Sequence, residues 1–282
     1  MLRQRVITAF ILLVIILAAL FYAPVWVWGV LSLTAIAAAG WEWGMLTGQG
    51  PRAGTQAGLV AGPIVLAGLF YLAWRNEAGA APVWMTTLLA VNLLLWLAFA
   101  LPSVLAARLR GAGGLPAAAF GVVALLCLWA AIHELRLVHP VLVLSAMAIV
   151  WCADIGAYFV GRKFGMRKLA VLVSPGKSWE GAIGGLVTVL VVAAIVWQLF
   201  PHAPVLSSVL ALKAGLLPAT IGLTLIVALS IIGDLFESLL KRSKGVKDSG
   251  SLLPGHGGLL DRIDALIPTM PACLLLWVVL TR

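Results

Sequence analysis

Long apolar runs alternate along the chain with short polar breaks marked by glycine and proline. The runs have the length that a bilayer sets for a helix, about 20 residues. Taken in order, the pattern predicts spans at 6–22, 25–46, 57–74, 83–104, 116–134, 139–160, 179–200, 215–240 and 264–280. That describes an all-α polytopic integral membrane protein with about nine transmembrane helices. The third span is broken by glycine and proline, and the sixth carries Asp154 toward its end. The first run follows Arg3 and Arg5 in the manner of a signal peptide. No small-residue cleavage site followed by a polar mature domain appears, so it reads as a retained helix.

Composition supports the pattern. Of 282 residues, 63% are hydrophobic and 10% charged, against roughly a quarter charged in soluble chains, which excludes an ordinary soluble domain. The net charge of +9 fits cytoplasmic loops of a membrane protein better than nucleic-acid binding. With a cytoplasmic N-terminus, fifteen of the nineteen Lys and Arg residues fall on the inner side, leaving Arg75, Arg136, Lys213 and Arg282 outside. Cys127, Cys152 and Cys273 sit singly in apolar runs and read as core residues. His133, His139 and His202 are expected in outer loops, away from any acidic cluster, so no zinc site is expected. The twelve tryptophans read mostly as an interfacial belt.

The two halves differ in chemistry. Residues 1–140 hold three acidic side chains, Glu42, Glu77 and Glu134, whereas residues 141–282 hold seven. Carboxylates at membrane depth are expensive and usually functional. Residues 1–140 are therefore expected to form a scaffold, and residues 141–282 the catalytic region, with its site on the cytoplasmic face.

Three constellations carry the chemistry. Asp234, Glu237, Ser238 and Lys241 follow at helical spacing along one face; Asp234 lies deep enough to demand a cation or a base. Asp261 and Asp264, at i and i+3, project to one side and repel unless a cation lies between them. A structural alternative is that they cap a helix start. With Asp234 they form a set of hard oxygen ligands suited to Mg²⁺, and a second cation is a further candidate. Between the two groups runs a loop with Gly245, Gly250, Gly255, Gly257 and Gly258, together with Lys244, Lys247 and His256. Glycine lets backbone amides approach an anion, and His256 is a candidate phosphate contact or base. The third constellation is "WCADIGAYFVGRKFG" followed by "SPGKSWEG". Ser174-Pro175 reads as a helix start, with Lys177 and Ser178 placed to meet phosphate. Neither a P-loop nor a Rossmann fingerprint is completed. Carboxylates, glycine-lined amides and lysines together suit phosphoryl or nucleotidyl transfer, with a lipid phosphate and a cytosolic nucleotide as reactants.

The stretch "SLLKRSKGVKDSGSLLPGHGGLLDRID", Ser238 to Asp264, resembles the signature of the phosphatidate cytidylyltransferase (CDP-diacylglycerol synthase) family without visible departure. "DIGAYFVGRKFG" and "SPGKSWEG" are similar to two further motifs of that family, in the same order. The resemblance implies that CTP and phosphatidate become CDP-diacylglycerol and pyrophosphate, with Mg²⁺ on Asp234, Asp261 and Asp264. It implies that Lys241, Arg242, Lys247, His256 and Arg262 hold phosphates beside Gly257 and Gly258. Lys177 and Ser178 would meet the nucleotide or pyrophosphate, and Asp154 and Tyr158 would order the site. The implied partners are CTP, phosphatidate and membrane lipids, with a homodimer as a candidate assembly and no nucleic acid. A CTP-dependent polyprenol or dolichol kinase and an ion-coupled transporter are the alternative functions.

Overall fold

Each long apolar run of the sequence is a helix in the computed structural model, which describes residues 2–48, 52–74, 83–109, 114–253, 255 and 257–281. The first two helices are α1 (Leu2–Tyr22) and α2 (Val25–Thr47), and α3 (Ala53–Trp74) packs against α2. Next, α4 (Val83–Leu95) runs through a π-helical turn, Trp96–Ala100, into α5 (Leu101–Leu105). Then come α6 (Leu115–Val138) and α7 (Pro140–Phe164). A two-stranded antiparallel hairpin, β1 (Lys168–Ala170) and β2 (Ser174–Ser178), leads into α8 (Trp179–Leu199). The chain ends with the short α9 (Leu206–Ala214), then α10 (Leu216–Ser243), α11 (Leu260–Ile263) and α12 (Leu266–Thr281).

Among the described residues, seven rods are long and apolar enough to cross a bilayer: Val25–Thr47, Val83–Leu105, Leu115–Val138, Pro140–Phe164, Trp179–Leu199, Leu216–Ser243 and Leu260–Leu280. Phe10–Tyr22 and Ala53–Leu69 are shorter apolar helices. The chain is thus an all-α multi-pass membrane protein. Arg75, Glu77, Arg110 and Arg282, used in the charge count, lie outside the described residues.

The core is aromatic where the two halves meet. Trp43 of α2, Trp96 and Phe99 of the π turn, Phe120 of α6 and Phe236 of α10 interlock, with adjacent ring centroids 5.0–5.9 Å apart. Trp43 also donates its indole N–H to the Ala117 carbonyl at 2.9 Å, the partner that a buried indole needs. Trp43, Trp96 and Trp129 are therefore core residues and not members of an interfacial belt. His133 likewise departs from the outer-loop expectation: it is buried in α6 and stacks on Trp129 at 5.4 Å. Its neighbour Glu134 accepts a hydrogen bond from the Tyr71 hydroxyl.

Small residues bring α7 and α8 together. A side chain at residue 185 would meet the Ala153 carbonyl at 2.6 Å. One at residue 156 would collide with Thr188, and one at residue 184 with Val160. This is the small-residue contact by which membrane helices approach without a hydrophobic drive between them. Gly185→Leu is expected to wedge the pair apart and lower the detergent unfolding midpoint, on an overpacking scale of about 1–3 kcal/mol. Gly54→Ala, with nothing within 4 Å of the added carbon, should leave the midpoint unchanged; equal effects in the two variants would refute the packing argument.

Candidate active site

One end of the helix bundle gathers the C-terminal ends of α2, α7 and α10 with the N-terminal ends of α8 and the last span, and the acidic residues of the second half collect there. Three departures from the sequence expectation shape the site. Ser174-Pro175 does not begin a helix: residues 174–178 pair with β1 in the register Lys168↔Ser178 and Ala170↔Ser174. Proline is tolerated in a strand only at such an edge. The helix begins at Trp179, with Ser178 as its N-cap. The Ser178 hydroxyl, expected at phosphate, is buried and accepts the Gly181 amide at 3.1 Å. The last span starts at Leu260 but breaks at Asp264–Ala265, because Pro268 has no N–H to return to the Asp264 carbonyl. Gly233 fills that break, since a side chain there would meet the same carbonyl at 2.6 Å. Helix α10 thus touches the last span at the residue before Asp234.

Asp234 does have its cation. Lys177, extended from β2, reaches the Asp234 carboxylate at 2.6 Å. Both side chains line a cavity of about 500 Å³ between α7, α8 and α10. Asp154, Tyr158, Arg162 and Ser230 add polar groups to its wall, and Ala153, Ala157, Leu169, Val227 and Ile231 add apolar ones. Arg162 donates to the Tyr158 hydroxyl at 2.8 Å and lies over its ring. Asp154 and Asp234 line the same cavity. Asp264 Oδ1 accepts the Ala265 amide at 2.7 Å.

Asp261 belongs to a second group. Its Oδ1 accepts Lys241 Nζ at 2.6 Å. Its Oδ2 accepts the Ser249 amide, the Ser249 hydroxyl and the Gly258 amide at 2.9, 3.0 and 2.9 Å. Lys241 also pairs with buried Glu237, one helical turn back on α10. The ammonium of Lys241 is thus held between two carboxylates of its own chain, where phosphate was expected.

The glycine loop follows the same logic. Gly255 and Gly257 have φ of +76° and +81°, the left-handed backbone that favours glycine, and Leu253 donates to the Gly257 carbonyl at 3.0 Å. The Gly258 amide is engaged by Asp261 and does not point at a free anion site. Arg242, Lys247 and Arg262 are exposed around the loop. His256 lies outside the described residues.

Glu42 joins the site from the N-terminal half. Assigned to the scaffold half, it is only 3% exposed and reaches across from α2 into the glycine loop. Its Oε2 accepts the Leu260 amide at 2.8 Å and shares the single proton of the Ser249 hydroxyl, 3.0 Å away, with Asp261, and its Oε1 accepts the Leu259 amide at 3.2 Å. The signal was available, because Glu42 is a carboxylate at the end of an apolar run, the same feature that singled out Asp234.

A divalent cation can be tested against this donor set. Among the described residues, no three His, Cys, Asp or Glu side chains form a protein cage for a metal. Mg²⁺ seldom needs one: it commonly takes one or two carboxylates and completes its shell with water and substrate phosphates. Asp234, on the cavity wall, is a carboxylate of that kind. The cavity lining brings Asp154 and Asp234 together with Lys177 and Arg162, so carboxylates that can take a cation stand beside cations that can take a phosphate.

Comparison with known proteins agrees with this chemistry. The model of the Cytidylyltransferase family matches residues 3–280. A phosphatidate cytidylyltransferase of Haemophilus influenzae is 38% identical over 297 aligned positions, covering 96% of each chain. One from Pseudomonas aeruginosa is 38% identical, covering 98% of this chain and 97% of its own. One from Bacillus subtilis is 44% identical over 129 positions, 45% of this chain and 43% of its own. With a match that runs from α1 to the end of α12, the chain belongs to the Cytidylyltransferase family.

Proposed function

We propose that this chain is a membrane nucleotidyltransferase that makes CDP-diacylglycerol and pyrophosphate from CTP and phosphatidate. The observation that carries the reading is the near-full-length kinship with phosphatidate cytidylyltransferases. The cavity fits that chemistry, since its lining combines apolar side chains with Lys177, Asp234 and Arg162. The apolar groups suit the glycerol and acyl stems of a lipid, and the charged groups suit phosphate.

In the reaction, a phosphatidate oxygen attacks the α-phosphorus of CTP in line. A new P–O bond forms as the bond to the bridging oxygen breaks, and pyrophosphate leaves with the electron pair. Such transfer depends on positioning and charge neutralisation more than on a covalent nucleophile. Asp234 and Asp264 would hold Mg²⁺, which supplies Lewis-acid neutralisation of the phosphates. Asp261, expected as a third ligand, holds Lys241 and the loop beside that pair. Lys177, which reaches Asp234 across the cavity, would meet a substrate phosphate. Arg162 and Tyr158 stand on the cavity wall, positioned for the lipid headgroup, and Arg242, Lys247 and Arg262 present positive charge to a nucleotide from the loop side. The positive-inside bias supports an N-terminus, and a site, on the cytoplasmic face. It also supports counting Phe10–Tyr22 and Ala53–Leu69 among nine spans.

Purified protein supplied with phosphatidate, Mg²⁺ and CTP labelled at the α- or γ-phosphate tests the reading. The α label should enter lipid and pyrophosphate should be released; γ label in lipid with CDP released would instead show a kinase. Asp234→Ala should lower turnover by at least about 100-fold, the scale of losing one electrostatic stabiliser, while the protein remains inserted. Near-full activity would remove Asp234 from the site. Asp264→Asn should shift the Mg²⁺ titration to higher concentration, and an unmoved titration would detach Asp264 from the cation.

A further inference from the structure

The glycine loop between α10 and α11 is rich in backbone amides, yet four of them are already taken. Ser249 and Gly258 donate to Asp261, and Leu259 and Leu260 donate to Glu42. Two of the glycines exist for the same carboxylates. A side chain at residue 250 would collide with Glu42 Oε1, and one at residue 258 would collide with the Ser249 hydroxyl and Glu42 Oε2. Neither residue has a positive φ, so close approach of the Glu42 carboxylate, and not turn geometry, excludes a side chain there.

Glu42 is itself aimed by rigid packing. The next residue, Trp43, is wholly buried, donates to the Ala117 carbonyl, packs on Phe236, and leaves no room for a side chain at Gly121. The rotation of α2 about its axis is thereby set, and Glu42 emerges on the side of the loop. Ser249 completes the link, because its hydroxyl lies 3.0 Å from Glu42 Oε2 and 3.0 Å from Asp261 Oδ2.

We propose that Glu42 is a positioning residue for the active site, a fixed anion supplied by the N-terminal half that folds the glycine loop and, through Ser249 and Leu260, sets Asp261 and hence Lys241. The loop wraps a carboxylate of its own protein as it would an external anion. The amides that remain for a substrate are those Glu42 and Asp261 leave free. This inference rests on the cytidylyltransferase reading only for its kinetic readout.

Glu42→Gln tests it. Both Glu42 oxygens accept N–H or O–H groups, so the amide NH₂ must face a donor and one side of the clamp is lost. In the full-length protein in detergent, hydrogen exchange of the 244–260 segment should accelerate while the thermal midpoint moves by only a few degrees. The turnover number should fall on the order of 100-fold, the scale of a misplaced catalytic geometry. KM for phosphatidate should change little, because the cavity is lined by α7, α8, α10 and β2. Unchanged loop protection, unchanged turnover, or a loss carried by KM for phosphatidate overturns the proposal. Should Glu42→Gln fail to fold, Gly250→Ala decides: it displaces the carboxylate from the loop side and must show the same faster exchange and lost turnover. Wild-type behaviour in that variant overturns the proposal equally. A wild-type protein that releases no pyrophosphate would sink the functional reading, while the exchange measurement, which needs no substrate, would still test the clamp.

Discussion

A charge at membrane depth must be paired, and that constraint organises the whole acidic end of this molecule. Desolvating a carboxylate is costly enough that an unpaired one does not persist in the charged state. Three solutions stand side by side. Asp234 takes an ammonium from a neighbouring strand, Glu237 and Asp261 share one lysine between them, and Glu42 takes two backbone amides and a hydroxyl. The first and third join elements far apart in sequence and the second ties α10 to α11, so the pairing that neutralises the charges also assembles the site.

Close packing makes these pairings geometrically available. Gly233 lets α10 lie against the carbonyl freed by Pro268, which sets α10 against the last span at the residue before Asp234. Gly185 and its neighbours seat α8 on α7, so that β2 emerges where Lys177 can reach α10. The aromatic cluster around Phe236 joins α2 and α6 to the same helix. The N-terminal elements therefore do more than hold the catalytic helices in the bilayer, because their packing decides where Glu42 points.

Much of this was legible beforehand, for physical reasons. Apolar runs of bilayer length announce helices regardless of context, and helical spacing placed Asp234, Glu237 and Lys241 on one face. What escaped depended on contacts across the chain. Pro175 within a motif read as a helix start is an edge strand, because Lys168 to Ala170 folds back to pair with it. Asp261 and Asp264 share a spacing but not their hydrogen bonds, since Asp261 accepts Lys241 and the loop amides and Asp264 accepts the Ala265 amide. Loop glycines suggest phosphate, yet Gly250 and Gly258 make room for Glu42, whose partners lie more than 200 residues away. His133 and three tryptophans read as peripheral because polarity alone was used, where burial beside other rings decides.

The dependence on paired charge can be measured most directly at Lys241 and Glu237, whose side chains are 15% and 1% exposed. Thermal unfolding in detergent of Lys241→Met, Glu237→Gln and the double variant forms a closed cycle. Removing the lysine alone strands buried Glu237 and leaves Asp261 only its loop hydrogen bonds, a loss of roughly 3–5 kcal/mol, and neutralising Glu237 as well should recover the part that belongs to Glu237. Additive losses, with the double variant less stable than Lys241→Met, would contradict the claim that these carboxylates are tolerated only because they are paired.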